Sequence, residues 1–258
     1  MTPDSIAKKP KVIGVIPARY ASTRLPGKAL RLIAGKPMVQ RVHERALLAR
    51  SLDSVCVATD DERIARAVES FGGHAIMTST HHPSGTDRLA EAVAKIEADI
   101  VVNIQGDQPF LDATMIEEAV LPLLDDPDLQ MATLMHPVNR REDFANPSVV
   151  KVVVDRVGNA LYFSRSLIPY PRQNLPHRVF EHVGLYVYRR DFLLTLAKLP
   201  PTPLEQIESL EQLRVLEHGC KLRIVETRAP DHEFTGFSVD TAEDLERAEQ
   251  MLRERGLS

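Results

Sequence analysis

The sequence has no tryptophan, and aromatic residues make up 5% of the chain, so aliphatic side chains must supply most of the core. Its two cysteines, Cys56 and Cys220, form neither a metal-binding spacing nor a disulfide framework, which suits a reducing, cytoplasmic compartment. No apolar run approaches the roughly 18 residues that cross a bilayer, which argues against a membrane protein. The lysine-containing start is followed by no long apolar segment, which argues against a signal peptide.

The chain also lacks a strong excess of either charge. Its formal net charge of -4 argues against a protein that coats nucleic acid. The remaining composition, 43% hydrophobic and 26% charged over 258 residues, is ordinary for a globular protein with a sizeable core. We expect residues 1–10 to form a flexible lead. Residues 11–258 should form a single domain, because no Ser- or Gly-rich linker divides them.

Short apolar runs alternate with amphipathic segments through the first half of the chain. The predicted strands are Val12–Pro17, Val55–Ala58, Ala75–Met77 and Ile100–Ile104. The helices between and after them are predicted to begin at Pro37 as an N1 proline, at Asp60 and Asp112 as N-caps, and at Thr86. Strands that alternate with helices predict an α/β fold, with a parallel sheet covered by helices on both faces.

The pattern becomes strand-rich from Met131 onward. The predicted strands are Met131–Pro137, Val149–Val154, Asn159–Phe163, Glu181–Tyr188 and Leu222–Glu226. A turn at Asp155–Asn159 would join two of them into a hairpin. Helices are predicted for Arg190–Lys198, Leu204–Glu217 and Thr241–Arg253. The whole pattern predicts a mixed, mostly parallel sheet with a strand-rich C-terminal elaboration.

A basic loop follows the first strand, where open α/β sheets bind their ligands. It holds three cations and three small residues whose backbone N–H groups could approach an anion: Arg19, Arg24, Lys28, Ser22, Thr23 and Gly27. Fixed donors and positive charge are what a triphosphate requires. The alternative is a solvated basic surface loop without a ligand.

This loop matches neither of two common nucleotide-binding motifs. Gly27-Lys28 is followed by Ala29, so the Walker A spacing that ends in Gly-Lys-Ser/Thr is missing. The Gly-x-Gly-x-x-Gly fingerprint is also missing, which argues against a nicotinamide or flavin dehydrogenase.

Two aspartates are candidates for holding Mg2+ beside this loop. Asp107 follows the strand Ile100–Ile104, and Asp240 precedes the last helix. Mg2+ takes few carboxylates together with phosphate oxygens and water, so two aspartates are sufficient. Asp240 could instead cap the last helix, with Glu243 completing a capping box, and Thr241 is the alternative cap.

The segment Ile16-Pro-Ala-Arg-Tyr-Ala-Ser-Thr-Arg-Leu-Pro-Gly-Lys28 resembles the signature of the 3-deoxy-manno-octulosonate (Kdo) cytidylyltransferases, also called CMP-Kdo synthetases. Further stretches match the same family: Ser84-Gly-Thr-Asp-Arg88, Asn103-Ile-Gln-Gly-Asp-Gln-Pro109, Tyr162-Phe-Ser-Arg165, Pro203-Leu-Glu205 and Leu210-Glu-Gln-Leu-Arg214. The resemblance extends from about Lys11 to the last helix. The first loop alone indicates only the wider nucleotidyltransferase superfamily, whereas the Gln-Gly-Asp and Leu-Glu-Gln-Leu-Arg segments narrow it to the Kdo branch.

The resemblance implies a Rossmann-like nucleotidyltransferase fold. It also implies transfer of CMP from CTP to the anomeric hydroxyl of Kdo, giving CMP-Kdo and pyrophosphate for lipopolysaccharide synthesis. The implied cofactor is Mg2+, and the implied assembly is a homodimer without nucleic-acid or membrane partners. The nucleotide-binding half would end near residue 130, with the sugar-binding and dimerisation half after it. The alternatives are a cytidylyltransferase for a modified octulosonate or another sugar acid, and a non-catalytic nucleotide-binding protein.

The resemblance also assigns roles to individual residues. It implies catalytic roles for Arg24, Lys28 and Asp107, and metal binding by Asp107 and Asp240. The implied nucleotide contacts are Arg19, Ser22, Arg24, Lys28, Ser84, Thr86 and Arg88. The implied sugar contacts are Gln105, Arg165, His182, Tyr186, Glu211 and Gln212. Three of these have structural alternatives: a hydrogen-bonded structural role for His182, a solvated helix-face charge for Glu211, and a surface ion pair for Arg165.

One position departs from the family pattern. Gln108 follows Gly106-Asp107 where the family usually has an acid, so the number of bound Mg2+ ions stays open. The Pro-containing segment 168–178 receives no role. The adjacent histidines His81 and His82 are weak evidence for a metal site, and a loop face is the default interpretation.

Overall fold

The computed structural model describes residues 9–22, 24–82, 84–173 and 175–256, so residues 1–8 of the expected lead lie outside the described residues. The strands are β1 (Val12–Ala18), β2 (Leu32–Ile33), β3 (Lys36–Pro37), β4 (Ser54–Thr59), β5 (His74–Met77), β6 (Ile100–Asn103), β7 (Met131–Pro137), β8 (Lys151–Val154), β9 (Ala160–Ser164), β10 (Phe180–Arg189) and β11 (Arg223–Glu226). The α-helices are α1 (Met38–Ala46), α2 (Glu62–Ser70), α3 (Gly85–Ala94), α4 (Ala113–Asp125), α5 (Arg190–Leu196), α6 (Pro203–Glu208), α7 (Gln212–Glu217), α8 (His232–Thr235) and α9 (Ala242–Glu254). Short 3-10 helices cover Lys28–Leu30 and Arg141–Phe144.

The main sheet has the strand order β11-β7-β10-β6-β1-β4-β5, with β8 beside β10 and β9 beside β8. Strands β6, β1, β4 and β5 pair in parallel, as do β7 and β11. Strand β10 runs antiparallel to both β6 and β7, and so joins the two parallel parts into one sheet. The mixed, mostly parallel sheet predicted from the sequence is therefore confirmed.

Helices cover both faces of this sheet because its central strands are apolar on both sides. In β1, Val12 and Ile16 face a cluster that includes residues of α1, α2 and α4. Ile13 and Val15 face the opposite cluster, which includes residues of α3, α5 and α7. Among the described residues, no helix is long and apolar enough to span a membrane.

The predicted strands and most predicted helices lie within two residues of their predicted bounds, and β7 agrees at both ends, whereas the sequence did not predict β2, β3 or α8. The predicted helix Leu204–Glu217 is wrong, because the chain forms two helices there. Ser209 separates them with a φ of 52°, a left-handed conformation that an α-helix does not continue. The helix predicted to open with Pro37 at N1 begins one residue later, at Met38, and Pro37 belongs to β3.

Hydrogen bonds identify the N-cap residues of α2 and α9. The prediction that Asp60 caps α2 is wrong, since the carboxylate of Asp61 accepts from the N–H of Arg63 at 2.9 Å instead. At α9, Thr241 is the N-cap and Asp244 completes the capping box. The carboxylate of Asp240 therefore does not cap the helix that follows it.

A third apolar cluster fixes the segments that carry the candidate site. Leu25 of the basic loop, Phe110 and Val239 pack together with residues of α9. Phe110 follows Asp107 in the chain by three positions, and Val239 directly precedes Asp240. Burial of these side chains holds the basic loop and both aspartates next to one another.

Candidate functional site

A cleft of about 340 Å3 lies beyond the carboxyl ends of β1 and β6. It is lined by most of the residues predicted to bind nucleotide and metal: Arg19, Ser22, Arg24, Lys28, Ser84, Arg88, Asp107 and Asp240. The fold therefore brings together side chains from four separate segments, as the edge position of a parallel sheet predicts. Thr23 lies outside the described residues.

The basic loop is held in a tight turn by its own backbone. The carbonyl of Tyr20 accepts from the N–H groups of Ser22 at 2.9 Å and Gly27 at 3.1 Å. Gly27 has a φ of 66°, and a β-carbon there would lie 3.2 Å from the Tyr20 ring. Glycine suits this position because it tolerates a positive φ and close contact with the ring. The turn leads directly into the 3-10 helix that carries Lys28.

Lys28 lies between the two candidate metal ligands. Its ammonium Nζ is 2.8 Å from Oδ2 of Asp107 and 2.9 Å from Oδ1 of Asp240. The Lys28 side chain is only 15% exposed, whereas the side chains of Asp107 and Asp240 are 30% and 32% exposed, so the carboxylates remain open to the cleft. One ammonium thus joins a carboxylate from the loop after β6 with one from the segment just before α9.

The other loop cations are more exposed. The guanidinium of Arg24 lies 3.0 Å from Oδ1 of Asp240, and its side chain is 65% exposed. Arg19 is also exposed and lines the cleft. Exposed arginines at the rim of a cleft are available to a phosphate that enters it.

Asp107 is positioned by two close backbone contacts. A β-carbon on Gly106 would lie 2.7 Å from the carbonyl oxygen of Pro17, so only glycine lets the end of β6 approach the end of β1. The carbonyl of Asp107 accepts from the N–H of Val239 at 2.9 Å. These contacts bring the Asp107 and Asp240 segments together independently of Lys28.

The N-terminus of α3 forms another wall of the cleft. Ser84 is its N-cap, and the hydroxyl accepts from the N–H of Asp87 at 3.1 Å. Ser84 and Gly85 line the cleft, where the unpaired N–H groups and partial positive charge of a helix start favour an anion.

Two other predicted nucleotide residues on α3 are engaged within the protein. The guanidinium of Arg88 donates to Oδ2 of Asp60 at 2.7 Å and to the Thr78 hydroxyl at 2.6 Å. Arg88 is 4% exposed but still lines the cleft. Thr86 donates its hydroxyl proton to Glu211 at 2.9 Å and does not line the cleft. Their nucleotide-binding roles stay predictions.

Three predicted sugar residues cluster along β10 and α7. The rings of His182 and Tyr186 have centroids 5.3 Å apart, and the Tyr186 hydroxyl donates to Gln212 at 3.1 Å. A β-bulge interrupts the pairing of β10 with β7 between Val183 and Tyr186. Bulges re-aim side chains, and this one leaves both rings on the same side of the strand.

The cluster is held in fixed protonation states by burial. Burial lowers the pKa of His182 to about 3, so its imidazole is neutral at physiological pH. Burial and the charge of Glu211 raise the pKa of Tyr186, which keeps its phenol protonated. The hydroxyl of Thr133 lies 3.0 Å from Nε2 of His182 and orients the ring. Neutral donors and acceptors of this kind suit sugar hydroxyls.

Gln105 and Glu211 connect this cluster to the cleft. Gln105 lines the cleft and donates to the carbonyl of Gly184 in the bulge at 2.9 Å. Oε1 of Glu211 is buried and has no hydrogen-bond partner among the described residues, although Oε2 accepts from Thr86. A buried acceptor without a partner is costly, so Oε1 is available to a ligand hydroxyl.

Arg165, predicted to contact the sugar, does not form the surface ion pair that was its structural alternative. Its guanidinium donates to the backbone carbonyls of Glu208 at 2.7 Å, Pro147 at 2.9 Å and Ser209 at 3.3 Å. It does not line the cleft. Arg165 thus fastens β9 to the link between α6 and α7, and its role in sugar binding stays a prediction.

Sequence reasoning missed two residues of this region. His82 lines the cleft and bonds to Glu91 at 2.5 Å, although its position before a proline suggested only a loop face. Lys151 is fully buried, and its ammonium donates to the carbonyls of Val149 and Arg165, each at 2.6 Å. Local sequence gave no signal for Lys151, because its partners are backbone atoms.

The residues present fit the Mg2+ that the resemblance implies. Asp107 and Asp240 supply carboxylate oxygens to the same cation, Lys28 Nζ, and so are close enough to share a small ion. The cleft is open to water and to phosphate oxygens, which Mg2+ prefers as its other ligands. Gln108, where the family usually has an acid, carries an amide and so adds no carboxylate to this pair. Its Oε1 is buried without a partner among the described residues.

Glu205 and Arg214, two residues of the family motifs without an assigned ligand contact, form a buried ion pair. Arg214 donates to both carboxylate oxygens of Glu205, at 2.8 and 2.5 Å, and both side chains are 11% exposed. Burial alone would raise the pKa of Glu205, but hydrogen bonds from Arg214 and Thr202 hold it below its ordinary value. The pair holds α6 against α7, and α7 follows Glu211 and begins with Gln212.

We expect Arg214→Leu to lower the free energy of unfolding by about 3–5 kcal/mol, because it leaves a buried carboxylate uncompensated. Adding Glu205→Gln should recover much of this loss, since the orphan charge disappears and Gln still closes the capping box with Thr202. Urea unfolding of both variants measures the difference. The control is Arg66→Leu, whose pair with Glu62 is exposed on α2 and should cost less than about 0.5 kcal/mol. Equal losses for Arg214→Leu and Arg66→Leu would contradict the interpretation.

Comparisons with known proteins give a consistent picture. The family model described as Cytidylyltransferase matches residues 13–224. A 3-deoxy-manno-octulosonate cytidylyltransferase from Geobacter metallireducens is 53% identical over 94% of this chain and 98% of its own. A solved structure of CMP:2-keto-3-deoxy-manno-octonic acid synthetase complexed with CTP has 49% identity and a TM-score of 0.90, covering 95% of this chain and 99% of its own. A cytidylyltransferase from Leptospira borgpetersenii is similar in fold, with a TM-score of 0.62 at 18% identity over 95% of this chain and 87% of its own.

Proposed function

Since this chain belongs to the cytidylyltransferase family, and its similar relatives include 3-deoxy-manno-octulosonate cytidylyltransferases, we propose that it transfers CMP from CTP to Kdo. The products are CMP-Kdo and pyrophosphate, and CMP-Kdo serves lipopolysaccharide synthesis. The family resemblance predicted from the sequence is confirmed. The single observation that carries the proposal is the cleft that joins the basic loop, Asp107 and Asp240 beside the polar cluster of β10 and α7.

The triphosphate of CTP is assigned to the basic loop and the start of α3. Arg19, Arg24 and Lys28 supply positive charge, and the free N–H groups after Ser84 supply fixed donors. Lys28 already forms ion pairs at the centre of the cleft. When phosphate enters, this ammonium can turn from the carboxylates to the more highly charged ligand.

Mg2+ is proposed as the cofactor, held by Asp107 and Asp240. When bound, the ion neutralises phosphate charge and lowers the pKa of an oxygen that it ligates. The support is the pair of carboxylates that converge on Lys28 Nζ at 2.8 and 2.9 Å. The apolar cluster around Phe110 and Val239 keeps the two carboxylates in place before any ligand arrives.

Kdo is assigned to the polar cluster next to the cleft. Gln105 lies at the boundary between the two regions, and Gln212 and Glu211 lie on the far side. Neutral His182 and protonated Tyr186 offer hydrogen bonds to the sugar hydroxyls without adding charge. The helix start at Ser84 and Gly85 also lines the cleft, and its N–H groups can receive the carboxylate of Kdo as well as a phosphate.

The residues act by positioning and by compensating charge. The C2 hydroxyl of the sugar releases its proton to water in the open cleft as its oxygen bonds to the α-phosphorus in line. The bond between the α-phosphorus and the bridging oxygen breaks, and pyrophosphate leaves toward the basic loop. Arg24 and Lys28 neutralise the charge that gathers on the leaving pyrophosphate. No covalent intermediate with the protein is required, since holding both substrates in one geometry removes much of the barrier.

We expect pyrophosphate release when the protein is supplied with CTP, Mg2+ and Kdo. Release with Kdo should exceed release with other sugar acids, because the polar cluster offers fixed partners to a particular set of hydroxyls. A coupled pyrophosphate assay over a panel of nucleotides and sugar acids, including an amino-substituted octulosonate, measures both specificities. The control omits the sugar and reports hydrolysis of CTP alone. Absence of release with every nucleotide would overturn the proposal, and preference for a modified octulosonate would replace Kdo as the substrate.

A homodimer is also proposed, with its interface in the second half of the chain. The β8–β9 hairpin exposes Val157 and Leu161 at 67% and 61%, and Tyr170 is 81% exposed beyond it. Exposed apolar side chains in this half of the chain are the support for an interface there. The cytoplasm is the proposed compartment, where the free thiols of Cys56 and Cys220 are stable.

A further inference from the structure

A second cleft of about 550 Å3 lies at the same edge of the sheet, beyond the end of β7 and the start of β10. Of the metal-ligating residue types that line it, three from different elements have ligand atoms close together: His136 of β7, Glu181 of β10 and His232 of α8. No role follows for these residues from the family motifs. They are far apart in the chain, so sequence spacing gave no signal for them.

The three side chains converge on a common point. Nε2 of His232 lies 2.9 Å from Oε1 of Glu181, and Nδ1 of His136 lies 3.7 Å from the same oxygen. One ligand atom from each residue lies within 4.8 Å of the others. Zn2+ binds nitrogen and oxygen at 2.0–2.2 Å, so ligands of one tetrahedral ion are roughly 3.4 Å apart. The observed separations bracket this distance. Because an imidazole nitrogen binds a metal in the plane of its ring, binding one ion also requires the two stacked rings to turn away from their nearly parallel arrangement.

The histidine rings show an arrangement that protein contacts do not explain. They stack with centroids 3.9 Å apart and an interplanar angle of 14°. Nδ1 of His136 and Nδ1 of His232 are both buried without a hydrogen-bond partner in the part of the chain that the structure describes. Nδ1 of His136 is the nitrogen that faces Glu181, so its lack of a partner indicates a missing ligand at that point, whereas His232 approaches Glu181 through Nε2.

The surrounding backbone makes room for this geometry. A β-carbon on Gly236 would lie 2.9 Å from the ring of His232, so the glycine allows the ring to turn inward. The side chains of His136, Glu181 and His232 are 16%, 24% and 19% exposed, which leaves one side of the cluster open to the cleft. Three protein ligands with one open position form a coordination set typical of zinc.

We propose that His136, Glu181 and His232 form a site for a transition-metal cation, with Zn2+ as its probe. The site is separate from the one at Asp107 and Asp240, since two imidazoles and a carboxylate favour Zn2+ over Mg2+. The ion fastens α8 to β7 and β10. Because α8 belongs to the segment that leads to Asp240, metal at this site stabilises the wall of the neighbouring cleft. The fourth position is left to water or to a small ligand in the cleft.

The test is titration of metal-free protein with Zn2+ by calorimetry, in excess Mg2+ so that carboxylate sites are occupied. We expect one Zn2+ per chain. His136→Phe and His232→Phe keep a flat ring in the stack, and each should weaken binding by about 100-fold or more. Glu181→Gln should weaken it by roughly 10–100-fold. The control is His74→Phe at an exposed position of β5, which should bind Zn2+ as the unaltered protein does.

A second measurement does not depend on the folding of any variant. Crystals of the unaltered protein soaked in Zn2+ should give an anomalous scattering peak between the two rings and the Glu181 carboxylate. Added Zn2+ should raise the unfolding temperature of the unaltered protein and of His74→Phe. The unfolding temperature of His136→Phe should not respond to Zn2+. An anomalous peak elsewhere, or Zn2+ affinity that survives all three substitutions, would overturn the proposal. Either result leaves the proposed transfer of CMP unaffected.

Discussion

Replacement of Asp107 by Asn is expected to lower kcat by about 10²- to 10³-fold or more, since charge stabilisation is lost where the reaction develops charge. Asn has the same shape and can still accept from Lys28 Nζ, which lies 2.8 Å from Oδ2. The contact of the Asp107 carbonyl with the N–H of Val239 uses backbone atoms and survives. The loss should therefore come from the missing charge, with the fold intact. Steady-state pyrophosphate release measures it.

The matched control for Asp107→Asn is Asp125→Asn at the exposed end of α4, which lies outside the CTP cleft. It removes the same charge and should leave kcat unchanged. Binding of Kdo without metal should survive in both variants, because the polar cluster of β10 and α7 does not include Asp107. If Asp107→Asn retains full turnover, Asp107 does not belong to the metal site.

The sheet could be predicted well because its strands carry a local signal. Runs such as Met131–Pro137 are apolar and bounded by turns, and β7 has these bounds. The basic loop and Asp107 also follow from local pattern, since each directly succeeds a strand. Parallel strands end at one edge, so their following residues meet there. The cleft confirms this meeting.

Features set by distant contacts could not be predicted. The left-handed conformation of Ser209 breaks a run that looks helical, because the Glu205–Arg214 pair and packing hold α6 against α7. The carboxylate of Asp60 forms an ion pair with Arg88 of α3 and does not cap α2. The guanidinium of Arg165 donates to backbone carbonyls, and a sequence pattern does not show which carbonyls the fold brings near a side chain. The division of the chain into nucleotide-binding and sugar-binding halves stays a prediction.

The clearest relation that sequence could not supply is the position of Lys28 between Asp107 and Asp240. The family resemblance assigns Lys28 to phosphate and the aspartates to metal, whereas the structure places the Lys28 ammonium between the two carboxylates. The ammonium therefore occupies the space that the proposed Mg2+ requires. Mg2+ and Lys28 should compete for the carboxylates until a nucleotide phosphate gives the ammonium another partner. This competition leads to the second large expected effect.

We expect Lys28→Met to reduce kcat/KM by about 10²- to 10³-fold, because the leaving pyrophosphate loses a fixed positive charge. Without Mg2+, the variant should also be about 1–3 kcal/mol less stable, since Asp107 and Asp240 then face one another without the ammonium between them. Added Mg2+ should raise the unfolding temperature of Lys28→Met more than that of the unaltered protein. The ion then fills the position of the lost ammonium without having to displace it.

The control for Lys28→Met is Lys198→Met, which makes the same replacement at an exposed position outside the cleft and should change neither turnover nor the response to Mg2+. Pyrophosphate release and thermal unfolding with and without Mg2+ are measured for both variants. A larger Mg2+ response in Lys28→Met alone would mean that both aspartates can hold one ion where the ammonium lies. An equal or smaller response than in the unaltered protein would mean that Asp107 and Asp240 do not share a Mg2+ ion. In that case the main role of Lys28 is structural, because its ion pairs hold the Asp107 and Asp240 segments together whether or not metal binds.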